Sequence, residues 1–212
     1  MEIERAKMKL SKILIIISAI AIVGIGFYSL PSGSSGEDYK AAILKDREDK
    51  DGFMKDSDES PFGEGRSAFT GLKYFDPDPK YRVTARLESI KNKKVIALPT
   101  SLNEESNYLE YGFVEFELDG VKNRLLLLEV MSMGPTRGTL FLAFADGTSA
   151  KETYGAGRYL DLKKMPGAGT MVLDFNKAYN PYCAYVDDFS CPFPPKENSL
   201  TVDIRAGEKN YH

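Results

Sequence analysis

Residues Tyr108 to Met131 read YLEYGFVEFELDGVKNRLLLLEVM. Asp119-Gly120 divides this stretch into two runs of similar length, and an Asp-Gly pair accepts the positive φ of a two-residue type I′ turn, so the stretch predicts a hairpin of two long antiparallel strands. Leu125 to Leu128 is apolar at both parities, as is Thr139 to Phe144, which predicts central strands covered on both faces. Upstream, Tyr81, Val83, Ala85 and Leu87 alternate with Arg82, Thr84, Arg86 and Glu88, the pattern of a strand buried on one side. Val95 to Leu98 is read as the hairpin partner of that strand. Further strands are expected at Gly157 to Leu162, Thr170 to Asn176 and Ser199 to Arg205. The expected fold is mainly β, an antiparallel barrel, roll or sandwich with one amphipathic helix. That helix is expected from Glu37 to about Asp51, with Tyr39, Ala42 and Ile43 on one face and Gly52 as its stop.

Ahead of the helix, Ile13 to Leu30 (ILIIISAIAIVGIGFYSL) is an uncharged, mostly apolar run of eighteen residues, apolar on every side, near the length that crosses a bilayer. Arg5, Lys7, Lys9 and Lys12 precede it, and no cation follows until Lys40, so the positive-inside rule puts residues 1–12 in the cytoplasm. Residues 13–30 are then a transmembrane anchor, 31–36 (PSGSSG) a flexible tether and 37–212 a domain outside the cytoplasm. A cleaved signal peptide, with Ser32 to Ser34 as its site, is the alternative.

The 212 residues carry 28 basic and 31 acidic side chains with no long basic block, which does not support a nucleic-acid partner. The single histidine is His212, so Ser-His-Asp and Cys-His chemistry have no internal imidazole to work with. In TYGAGRYLDL, from Thr153 to Leu162, the G-x-G-x-x-G phosphate pattern fails because Leu160 occupies the third glycine position. A turn is the better reading of Gly155 and Gly157. In TMVLDFN, a strand buries Met171, Leu173 and Phe175 and presents Val172, Asp174 and Asn176 together.

These segments, with LDFNKAYNPYCAY, CPFPPKENSL and IRAGEK downstream and SPF, FTGLKYF and FADGTSAKETYGAGRYL upstream, resemble a family of bacterial proteins known only as a domain of unknown function. The resemblance runs from about Tyr39 to Lys209. In that family Arg often stands where this chain has Ala145 and Lys177. The resemblance implies domain limits and no activity or cofactor; with a bacterial source, the anchor would sit in the inner (plasma) membrane.

Both cysteines lie in NPYCAYVDDFSCPFPPKEN, Asn180 to Asn198. Outside the cytoplasm, a Cys183–Cys191 disulfide is the first reading, and closing so short a loop contributes roughly 2.6 kcal/mol. A copper(I) site on the two thiols with Met131, Met133 or Met165 is a second, and free thiols a third. Exposed tyrosines with asparagine and arginine make polar-aromatic binding surfaces. The expected ligand site is therefore Tyr154, Arg158, Asp174, Asn176, Tyr179, Asn180, Glu197 and Asn198, for a small molecule, a glycan or a protein, with no cofactor. The rival reading is a hydrolase drawing on Asp146, Asp161, Asp174, Glu197, Arg158 and Arg205. Two carboxyl groups about 5 to 10 Å apart in a cleft would favour it.

Overall fold

A computed structural model describes residues 36–165 and 167–212. The expected anchor and tether lie outside the described residues, and among the described residues no helix is long and apolar enough to cross a membrane.

The central hairpin forms as its sequence dictates. Strand β3 (Glu105–Leu118) pairs antiparallel with β4 (Val121–Val130), Leu118 opposite Val121, and Asp119 and Gly120 take φ of 53° and 75° in the turn between them. Four more strands extend this pair: β1 (Arg82–Ser89), β5 (Leu140–Phe144), β6 (Arg158–Leu162) and β7 (Thr170–Asp174). The order is β6-β5-β4-β3-β1-β7, and each of these neighbours pairs antiparallel. Among the described residues β6 and β7 stand at opposite ends of the order, so the sheet is a half-barrel and not a closed one.

Strand β2 (Val95–Pro99) corrects the expected hairpin. It pairs with β3 and not with β1: residues 82–99 run along one edge of β3, β1 against Gly112–Glu115 and β2 against Glu105–Leu109. The break between them coincides with a register shift in β3 between Glu110 and Gly112. Gly112 is required there, because a Cβ would stand 2.7 Å from the Glu88 carbonyl oxygen.

Two apolar layers follow from alternation along β4 and β5. Leu125, Leu127, Leu140, Leu142 and Phe144 join Ala85, Val114, Met171, Leu173 and Phe175 on one face. Leu126, Leu128, Phe141 and Ala143 join Leu98, Tyr108 and Tyr159 on the other. Both parities are thus buried, as expected for covered central strands. The first face is closed by Val202, Ile204 and Ala206. This C-terminal segment corrects the strand expected at Ser199 to Arg205, because it meets the sheet through one isolated parallel bridge, Ala145 to Ser199.

The helix α1 (Gly36–Asp56) runs past Gly52, which does not stop it. Its inward stripe is Ile43, Arg47, Lys50 and Met54, at i, i+4, i+7 and i+11, with Ala42 exposed. Two cations therefore face inward. The Arg47 guanidinium lies over the Tyr74 ring at 4.5 Å and donates to the Phe75 carbonyl at 2.8 Å.

Candidate functional site

Arg158, first residue of β6, is fully buried. Its guanidinium donates to Asp146 Oδ2 at 2.8 Å, to the carbonyls of Ile204 at 2.8 Å and Glu208 at 3.1 Å, and to that of Ala206. Burial pulls its pKa down and the Asp146 charge opposes that pull. Arg158 enters this position because Gly157 takes φ of +91°, where a Cβ would meet the Phe144 carbonyl oxygen at 2.5 Å. Gly157 also closes a turn, its N–H donating to the Tyr154 carbonyl at 3.1 Å. The glycines thus make a turn.

Glu208 is a second buried charge. Its carboxylate accepts from Lys50 Nζ at 2.5 Å, from the Asn180 N–H at 3.0 Å and from the Tyr185 hydroxyl. Burial first, and this carboxylate second, push the Tyr185 phenol well up. The two ionic groups fix the segment from Ile204 to Glu208 under the sheet, and fix α1 to that segment.

In front of this polar layer lies a cleft of about 590 Å³. The sheet supplies Tyr108 from β3, Phe141 from β5 and Tyr159 and Asp161 from β6; α1 supplies Lys50, Phe53 and Met54; the segment after β7 supplies Tyr179, Tyr182, Phe189 and Cys191. The rings form a chain. Tyr108 stacks on Phe141 with centroids 5.3 Å apart, Phe141 meets Tyr159 edge-on at 4.7 Å, and Tyr159 meets Tyr179 edge-on at 5.8 Å. Tyr179 is held by mutual backbone hydrogen bonds with Tyr159, 2.8 and 3.0 Å long, which also cover the β6 edge. Its hydroxyl donates to Asp161 Oδ2 at 2.9 Å. Asp161 is exposed at the cleft mouth, yet the rings displace enough water to raise its carboxyl pKa, with the Tyr179 hydrogen bond opposing.

The residues expected to bind a ligand separate into distinct places. Tyr179 faces the cleft. Arg158 is buried as described. Asn198, also fully buried, accepts the Leu126 N–H at 2.6 Å and donates to the carbonyls of Leu126 at 2.9 Å and Ala143 at 2.7 Å. Asn176 accepts the Asp78 N–H and donates to the Asp78 carbonyl, while Asp174 accepts from the Asn176 N–H at 3.2 Å. Asn176 is buried because β7 ends at Asp174 and a 3₁₀ turn at Phe175–Lys177 breaks the alternation. Asn180 donates to the Lys209 carbonyl at 2.8 Å. Glu197 is exposed on a 3₁₀ turn, and Tyr154 is half-buried with its hydroxyl 3.8 Å from Cys183 Sγ.

The expected disulfide is not formed: Cys183 and Cys191 are free, buried thiols, with the Cys183 N–H donating to Cys191 Sγ at 3.3 Å. Met131, Met133 and Met165 are exposed, apart in environment from the buried cysteines. Among the described residues, no three His, Cys, Asp or Glu side chains are grouped to hold a metal ion. Sequence reading missed Tyr108, Phe141, Phe189, Lys50 and Glu208. For Tyr108 and Phe141 a signal existed: bulky aromatics on the second face of strands whose first face already supplies the core.

A family model described as a protein of unknown function, DUF1684, matches residues 67–209, and the chain belongs to that family. An uncharacterized protein of Haloarcula marismortui, solved by solution NMR, is 38% identical with a TM-score of 0.63; the match covers 82% of this chain and 95% of that one. No curated protein matches the chain.

Proposed function

We propose that this member of the family is a binding module for a small organic ligand, held at the outer side of a membrane by Ile13 to Leu30. The observation that supports it is the cleft between β3, β5, β6 and the Tyr179–Pro192 segment, whose volume of about 590 Å³ falls in the range of small-molecule sites. Its walls are aromatic faces. Its polar groups include a carboxylate, Asp161, with the Tyr179 hydroxyl bound to it, and the side chains of Ser132, Thr136, Thr139 and Ser190. Lys50 also lines the cleft, but its charge is taken up by Glu208. Such a surface favours a flat-faced ligand with a hydrogen-bond donor or a cationic group over an anion. The hydrolase reading finds no second carboxyl group among the cleft's lining residues: Asp146 is engaged by Arg158, and Glu208 by Lys50, Asn180 and Tyr185.

Two experiments test this. Uniformly labelled protein titrated with a panel of neutral monosaccharides, aromatic amines and quaternary ammonium compounds should show chemical-shift changes clustered on Tyr108, Phe141, Asp161 and Tyr179. Shifts confined elsewhere, or none across the panel, overturn the cleft as the site. For the anchor, the full-length chain should stay with membranes through an alkaline carbonate wash, whereas recovery of a soluble chain beginning near Ser35 would identify a cleaved signal.

A further inference from the structure

The two cysteines form a pair with unlike surroundings. Cys183 sits in the 3₁₀ turn Tyr182–Ala184, and its backbone N–H donates to Cys191 Sγ at 3.3 Å, which sets the two cysteines side by side. The Tyr154 hydroxyl lies 3.8 Å from the Cys183 sulfur. Cys191 is held from the other side. Its N–H donates to Ser101 Oγ at 3.0 Å, and its carbonyl accepts the Ser101 N–H at 3.0 Å. Cys191 also belongs to the cleft wall. Each cysteine is 8% exposed.

We propose that Cys183 and Cys191 are a peroxide-oxidisable dithiol, Cys183 the nucleophile and Cys191 the resolving thiol. The Cys183 thiolate attacks one oxygen of hydrogen peroxide. The O–O bond breaks, and the other oxygen leaves as hydroxide, which takes a proton from solvent to become water. Cys183 is then a sulfenic acid. Cys191 Sγ attacks the Cys183 sulfur, the S–O bond breaks, and the hydroxyl leaves with the Cys191 proton as a second water. One S–S bond has formed, and the two electrons released by the dithiol have reduced one peroxide to two waters.

The hydrogen bonds account for the division of labour. The neighbouring Cys191 thiol, with the Tyr154 hydroxyl behind it, lowers the Cys183 pKa to about 6 against the opposing effect of burial. The same pairing, with burial, pushes Cys191 up. The titratable groups around the pair are the phenols of Tyr154, Tyr159 and Tyr108 and the Asp187 carboxylate. All three phenols are raised, so they stay neutral near pH 7 and act as donors or spectators. The thiolate is thus present above about pH 6 and is lost as pH falls through that value.

The test needs no ligand and stands apart from the cleft reading. Full-length reduced chain is exposed to equimolar hydrogen peroxide across pH 4.5 to 9, quenched and analysed by intact and peptide mass. The expected product is an intramolecular Cys183–Cys191 disulfide whose initial rate of formation is half-maximal near pH 6. The Cys191→Ser variant should stop at a sulfenic acid on Cys183 that dimedone traps, and the Cys183→Ser variant should leave Cys191 reduced at pH 7. A half-maximum in the ordinary thiol range near pH 8.5, intermolecular dimers, or sulfinic acid without a disulfide would each overturn the proposal. Should either serine variant fail to fold, the wild-type product and its pH profile decide alone.

Discussion

Arg158 carries the largest single consequence at the residue scale. Read in sequence, an arginine beside two glycines suggested a ligand contact; in the fold its charge lies wholly inside, paired with Asp146 and holding three backbone carbonyls. Removing one partner of a buried pair leaves the other charge uncompensated, so Arg158→Ala should lower unfolding free energy by about 3 to 5 kcal/mol in urea titration. Stability within 1 kcal/mol of wild type would return the side chain to the surface. Asp161 behaves oppositely. Its pKa is raised on folding, so the unfolded chain ionises first and stability is lost as pH rises from the ordinary aspartate value through the raised one. Asp161→Asn should therefore match or slightly exceed wild type in thermal midpoint at pH 7. That margin should shrink as pH is lowered toward the ordinary aspartate range. A variant clearly less stable than wild type at pH 7 would show that the Tyr179 hydrogen bond outweighs the ionisation term.

Among the elements, α1 gives the cleanest test. Gly52 lies within it, and a Cβ there would meet nothing within 4 Å, so Gly52→Ala should stabilise the protein by roughly 0.5 to 1 kcal/mol. No gain would mean that the helix ends before this position in solution. The elements themselves were largely legible. The β3–β4 hairpin, the doubly covered β4 and β5 and the half-buried β1 are encoded in local alternation and one Asp-Gly turn. What local pattern could not encode is pairing at a distance: β2 lies on β3 instead of folding back on β1, because β3 is long enough to hold both. Ser199 to Arg205 alternates like a strand, yet its polar backbone is satisfied piecemeal, the Leu200 N–H by Ala145 and the Val202 carbonyl by Gly147. The cleft was half legible for the same reason. Sequence alone offers Tyr179 as a ligand contact and Asp161 as a hydrolase carboxylate without joining them, whereas Tyr108 and Phe141 read as core until the topology sets them beside Phe189.

At the scale of the whole molecule, the ionic groups tie together parts of the chain that are remote in sequence. Lys50 reaches Glu208, and Arg158 reaches Ile204, Ala206 and Glu208. A chain truncated after Asp203 loses the carbonyls that Arg158 holds, Ile204 and Ala206 from the main core layer, and the partner of Lys50. It should be degraded by dilute protease under conditions where the chain through His212 survives; equal resistance would show that the sheet closes without this segment. The order of synthesis gives that dependence a temporal meaning. A ribosome delivers α1 early and Glu208 more than a hundred and fifty positions later, so the nascent sheet waits with one apolar face uncovered until position 208 is released. Such a chain stays unclosed for nearly the whole of its own translation, and its uncovered apolar face is exposed to aggregation until the last few residues emerge.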